Sequence, residues 1–288
     1  MADGQQETGR WLRLATVLRA VVVGILIALV PANVWLVFLF FLHMPAAALA
    51  EAIFLAAYLW WTSGGGPPRL LAAARAESFR RSTLSGAQWR WGLAAALFFA
   101  VTVHGAIVLL FRLVPFPAAA FHAGYDFSFI PTPALRWIAV LVAAASAGIC
   151  EETGFRGYLQ QPLEVRFGPA AAIAVSSLFF MLLHLNKDWS GIGMVPIVFG
   201  AGVLLGALAW ASRSLVFCMI GHTAMDVGLF AYWWGQIAGT FSQRPIGETG
   251  IDVSFGVEVA IFAGALCVTL TSIRRLRGLS SDGAPRVA

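Results

Sequence analysis

Two adjacent carboxylates, Glu151 and Glu152, directly follow the uncharged run Trp137–Cys150, and Arg156 stands four residues beyond the second of them. Only 11% of the 288 residues are charged and 59% are apolar. Ionisable groups at membrane depth are costly and face a protein interior or a water-filled cavity, so they mark a functional site by default. Two later apolar runs carry matching groups: His184 follows Phe179–Leu183, and His222 and Asp226 lie inside the run 215–234. Carboxylates and imidazoles exchange protons and ligate metals, so the question is which of them meet.

Spacing assigns partners. Glu152 and Arg156, at i and i+4, share a helix face with the acid on the N-terminal side, a favourable ion pair. Glu151 points about 100° away from Glu152 on the same helix, which leaves it available for chemistry. His222 and Asp226 also share a face. Phe167-Gly168-Pro169 is a turn signal, with glycine ending one helix and proline opening the next. Glu151 precedes this turn by about as many residues as His184 follows it. In an antiparallel hairpin equal offsets give equal height, and Pro162 is the one residue placed to kink the first arm.

The elements that must position these groups are membrane spans. A mean hydropathy of +0.80 and several uncharged runs of about 18 residues or more predict an all-α, polytopic transmembrane helical bundle with about eight spans. They fall near Ala20–Leu42, broken or kinked at Pro31, then Pro45–Trp61, Trp91–Val114, Leu135–Cys150 continuing past the glutamates, Pro169–Leu185, Gly191–Trp210, Leu215–Trp234 and Phe255–Ile273. The first span is read as retained rather than as a signal peptide. Eight crossings put both termini and the Arg69–Arg90 loop on one side. The excess of arginine there makes it cytoplasmic, with Arg112, Arg136, Lys187 and Arg244 towards the other face. The net charge of +5 therefore reflects topology and contact with the lipid bilayer, not nucleic acid. Gly64-Gly65-Gly66-Pro67-Pro68 ends the second span, and the alternation of Ala and Leu with Arg predicts a surface amphipathic helix in Arg69–Arg90. Tryptophans 60, 61, 89, 91, 189, 233 and 234 mark span ends. Cys150, Cys218 and Cys267 lack CxxC spacing and are read as small buried hydrophobes. His43, His104 and His122 have no matching acids and are read as structural, and Tyr125-Asp126 lacks the partner motif of an aspartyl protease. The chain divides into 1–133, N-terminal helices with the basic loop; 134–235, the core; and 236–288, the last helix and basic tail.

Glu151-Glu152-x-x-x-Arg156, Phe180-x-x-x-His184 and His222-x-x-x-Asp226, in that order on separate spans, resemble the CAAX protease and bacteriocin-processing (CPBP, or Abi) family of intramembrane proteases, related to the type II CAAX prenyl endopeptidase. The resemblance covers about Leu135–Trp234. It implies peptide-bond hydrolysis within the bilayer of a membrane-tethered or lipidated protein or peptide. Glu151 would be the general base, His184 would help to orient and activate the water, His222 and the residue four later would stabilise the oxyanion, and Glu152 and Arg156 would organise the helix. The prenyl endopeptidase has asparagine where this chain has Asp226. An ionised aspartate cannot donate to an oxyanion, so Asp226 must be protonated, orient His222 or bind a metal. No cofactor is favoured, although zinc held by Glu151, His184 and His222 is chemically competent and the family is often described as metalloproteases. The alternatives are a non-catalytic membrane scaffold or immunity factor and a proton-coupled transporter; no internal repeat supports the last. The compartment expected is the bacterial cytoplasmic membrane.

Overall fold

A computed structural model describes residues 2–119, 127–185, 191–233 and 244–282, with side chains left aside at 2–13, 191–192 and 281–282. Among the described residues every regular element is helical. The order is α1 (Ala2–Ala32), α2 (Val34–Leu42), α3 (Ala46–Thr62), α4 (Ala72–Ser78), α5 (Gly86–Leu113), α6 (Pro133–Glu152), α7 (Gln160–Phe167), α8 (Pro169–Leu182), α9 (Gly191–Ser212), α10 (Val216–Trp233), α11 (Ile246–Thr249) and α12 (Val253–Asp282). Six segments are long and apolar enough to cross a membrane, namely Leu14–Leu42, Gly86–Leu113, Pro133–Phe167, Gly193–Ser212, Val216–Trp233 and Val253–Ser280, and Ala46–Thr62 and Pro169–Leu182 are shorter apolar helices. All eight runs expected to span thus fall on helices, and the chain is an integral, multi-pass membrane protein. Large apolar side chains cover its outside, with Phe40 77% and Phe41 72% exposed, as lipid requires.

Local chemistry sets the boundaries. Pro31 ends α1 at Ala32, and Asn33 Nδ2 donates to the carbonyl of Leu29 at 2.7 Å before α2 resumes. At the start of α5, Ser85 and Gln88 form a reciprocal capping box. Thr132 caps α6, accepting from Leu135 N at 3.3 Å with Pro133 in the first turn. Gly168, at φ 83°, turns the chain between α7 and α8.

Two features go beyond the sequence reading. Pro162 falls in the first turn of α7, and Thr153–Leu159 just before it winds as a π-helix between α6 and α7. Gly154 and Gly157 let neighbours close in: a Cβ at Gly154 would meet Gly24 O and Ala28 of α1, and one at Gly157 would approach Ser78 O at 2.8 Å. Side chains from elsewhere bond the carbonyls of the widened turn, Ser176 Oγ to Phe155 O at 3.0 Å and Arg80 Nε to Arg156 O at 3.1 Å. Arg69–Arg90 is not one surface amphipathic helix. Within it Ala72–Ser78 and the start of α5 from Gly86 are α-helical, and Arg75 turns inward, bonding the carbonyls of Trp61, Gly65, Gly66 and Pro68 at 2.6–3.1 Å and stacking on Trp61. The Gly-Pro turn leaves carbonyls that no helix satisfies, and a guanidinium has five donors in a fixed fork to offer them.

The core joins α5, α9, α10 and α12, with α1 and α8 packed on the π-helix and α3 on α6. Helix α6 presents three faces. Ala144, Gly148 and Glu152 face α10; Ser146 and Cys150 face α3; Ala143, Ala147 and Glu151 remain towards a cavity.

Candidate active site

The glutamates divide as their spacing predicts. Glu152 is fully buried, and its Oε1 accepts from Arg156 Nη1 at 3.1 Å. The same oxygen lies 2.7 Å from His222 Nδ1, a link between α6 and α10 that the sequence does not disclose. Arg156, also fully buried, reaches the carbonyl of Gly202 at 3.4 Å and lies 4.4 Å over the Phe180 ring. The Phe180 ring also meets His184 at 4.5 Å and His222 at 5.8 Å between centroids. The motif phenylalanine is therefore the spacer among one cation and two imidazoles, using its negative face for the guanidinium.

Glu151 takes the other direction. It lines a cavity of about 470 Å³ together with His184, His222 and Asp226, so the hairpin brings its two arms to one site. Its Oε2 is buried without a hydrogen-bond partner, a state that native proteins leave to few groups and that calls for an explanation. His184 Nδ1 lies 2.7 Å from the carbonyl of Phe180. A carbonyl only accepts, so Nδ1 carries the proton and Nε2 the lone pair. His222 Nε2 lies 3.7 Å from Asp226 Oδ2, within ion-pair reach but long for a hydrogen bond. Asp226 thus neighbours His222 on one helix face, as the spacing predicts. The remaining cavity lining is mostly apolar, including Trp35, Phe127, Met194 and Phe230.

No group of three or more His, Cys, Asp or Glu side chains among the described residues is arranged to hold a metal ion. Glu151, His184 and His222 share the cavity without forming a ligand set, and His222 Nδ1 is engaged by Glu152. Of the histidines read as structural, His104 packs edge-on against Tyr232 at 4.6 Å, away from the cavity lining. His122, Tyr125, Asp126, Lys187, Trp189 and Trp234 lie outside the described residues.

One carboxylate escaped the sequence reading. Glu51 on α3 is fully buried, accepts from Ser146 Oγ of α6 at 2.7 Å and has no partner for Oε2. It pins the face of α6 that flanks the cavity face. The signal was present, since Glu51 is the one acidic residue between Glu7 and Glu77; no motif surrounds it to attract notice.

Comparison with known proteins bears on this segment alone. Neither a curated protein nor a solved structure matches the chain. Residues 133–228, which hold all three motifs, match the model of the type II CAAX prenyl endopeptidase Rce1-like family. With the cavity built from the same segment, this match supports placing residues 133–228 with the CAAX proteases.

Proposed function

We propose that the protein is an intramembrane endopeptidase that hydrolyses a peptide bond of a membrane-anchored substrate with a water activated by Glu151 and His184. The observation that carries this reading is the buried, unpartnered Glu151 Oε2 facing a cavity shared with two histidines. In the reaction, the Glu151 carboxylate takes a proton from water while the water oxygen bonds to the carbonyl carbon of the scissile amide. His184, through Nε2, helps to hold that water. The tetrahedral oxyanion collapses, the C–N bond breaks and the amine leaves with the proton returned from Glu151. Glu152, anchored by Arg156, accepts from His222 Nδ1–H and so aims Nε2 at the cavity; in its doubly protonated form His222 donates to the oxyanion beside Asp226. An ionised Asp226 cannot donate there itself, and its place beside His222 suits orientation of the ring. No step of this reading needs a metal.

Reconstitution in lipid with a panel of quenched membrane-anchored peptides, some prenylated, tests the reading. Glu151→Gln and His184→Ala are expected to abolish cleavage, and a chelator to leave the unaltered protein active. Activity that survives Glu151→Gln would reject the base assignment. Chelator-sensitive cleavage restored by zinc would replace the metal-free mechanism.

A further inference from the structure

A second cavity, of about 580 Å³, shares no lining residue with the candidate active site. It sits at the arginine-rich end of the bundle, where the apolar segments that finish at Phe167 and Ser212 run out, and so opens at the membrane surface. Its walls come from α4 and the turn after it, from α7 and from the end of α9. Ser82 Oγ bonds the carbonyl of Arg213 at 3.0 Å and holds the two turns together.

Three arginines and two acids line this cavity, Arg80, Arg81 and Arg213 against Glu77 and Glu164. Arg80 is engaged within the fold. Its side chain is 7% exposed, Nη2 pairs with Glu164 at 2.7 Å and Nε donates to the carbonyl of Arg156 at 3.1 Å. Glu164 also accepts from Gln160, and Glu77 accepts from Gln161 Nε2 at 3.0 Å. Arg81 and Arg213 differ. Both are exposed, and among the described residues neither guanidinium has an ion pair, a hydrogen bond or a ring contact. Arg80 and Arg213 each stand at φ 54°, a left-handed conformation that glycine adopts freely and a residue with a Cβ does not. For Arg80 the bonds of the guanidinium offset that strain; Arg213 has no such bond within the fold.

The lining thus carries one positive charge in excess, with two unengaged guanidinium forks of the geometry that grips phosphate oxygens in pairs. Beside them the wall is apolar. Val165 is 77% exposed, and Trp210 supplies a ring of the kind that settles at headgroup level. A free inorganic anion has no use for such a wall, whereas a phosphodiester that carries acyl chains does.

We propose that this cavity binds one anionic phospholipid, its phosphodiester held by Arg81 and Arg213 and its glycerol and acyl chains laid against Trp210 and Val165. The single negative charge of a phosphodiester balances the lining. The site stands apart from the hydrolase reading, and either can fail without the other.

Native mass spectrometry of the full chain tests the proposal, with the protein freed of lipid in detergent. It is titrated with short-chain phosphatidylglycerol, with the matching diacylglycerol, which lacks phosphate, and with inorganic phosphate. One saturable phosphatidylglycerol is expected, and no diacylglycerol. Arg81→Gln and Arg213→Asn, the latter a residue that tolerates the left-handed backbone, are each expected to weaken binding about tenfold, as loss of a charge-assisted contact does. Arg274→Gln, exposed at the same end but outside the cavity, should leave binding unchanged. Thermal unfolding checks that each variant folds, and if one cavity variant does not, the other decides. Equal weakening by Arg274→Gln would mean diffuse attraction to a basic surface, and unaltered binding in the cavity variants would place the lipid elsewhere. Either result overturns the proposal, as does the absence of a saturable lipid or equal binding of the diacylglycerol. Inorganic phosphate held as tightly, with the same dependence on Arg81 and Arg213, would make the ligand a free phosphate and overturn the lipid assignment.

Discussion

Glu151 and Glu152 are neighbours in sequence, yet their surroundings make opposite demands. Glu152 is enclosed with Arg156 and His222. Removing one partner of such a buried pair strands the other charge and costs about 3–5 kcal/mol. Arg156→Met is therefore expected to lower thermal stability strongly in detergent or lipid, through Glu152. Glu151→Gln should leave stability within about 0.5 kcal/mol of the parent protein, since its Oε2 has no hydrogen-bond partner to lose and the change conserves volume. Thermal unfolding of both variants checks this. A marked loss on Glu151→Gln would show that this carboxyl is structural rather than kept available. This division was legible from a four-residue spacing and a 100° step. The bond from Glu152 to His222 was not, because 70 residues separate them and only packing sets which rotamer of a glutamate meets which helix. Glu51 was missed for the complementary reason, being a lone acid whose partner, Ser146, is unremarkable in sequence.

At the scale of elements, the site depends on how closely α6 approaches α10. Gly148 sets that approach: a Cβ there would collide with Thr223 Oγ1 and lie 2.9 Å from Thr223 N and 3.0 Å from Met219 O. Two of those atoms are backbone, so the helices themselves must separate, and the 2.7 Å contact between His222 and Glu152 one turn away lengthens with them. Gly148→Ala is expected to cost about 1–3 kcal/mol as overpacking and to lower turnover more than substrate affinity. Gly256→Ala, where a Cβ meets nothing within 4 Å, should be neutral or slightly stabilising. Unfolding and cleavage assays on the pair separate a loss of packing from a general intolerance of added methyl groups. Hydropathy exposed all eight apolar helices and the Gly168-Pro169 turn, because length, apolarity and turn chemistry are local properties. The π-helix at Thr153–Leu159 was hidden, since its carbonyl partners Ser176 and Arg80 come from distant segments. The inward turn of Arg75 was hidden because alternating charge reads as solvent exposure until the carbonyls of the preceding glycines are counted.

Across the whole molecule, the two ends are held by different chemistry. At the arginine-rich end Arg80 pairs with Glu164 and Ser82 bonds the carbonyl of Arg213, whereas at the far end, among the described residues, Arg112, buried in α5, holds Asp252 at the start of α12. The Asp252 carboxylate also accepts from the backbone N–H of Phe255 at 2.8 Å, capping that helix. This cap, with the Arg112 guanidinium beside it, holds the Asp252 carboxyl below its ordinary range. A carboxyl whose folded value is depressed stabilises the fold above its unfolded value, and that contribution is lost as pH falls through the folded one. The latch should thus be at full strength at neutral pH and should weaken below about pH 4, where a free aspartate begins to protonate. Asp252→Asn keeps the size of the side chain and part of its capping but removes the charge. The difference in melting temperature between parent and Asp252→Asn is expected to be constant from neutral pH down to about 5 and to shrink as the medium becomes more acid. A difference that persists unchanged in acid would mean that the latch works through shape and hydrogen bonding, not charge.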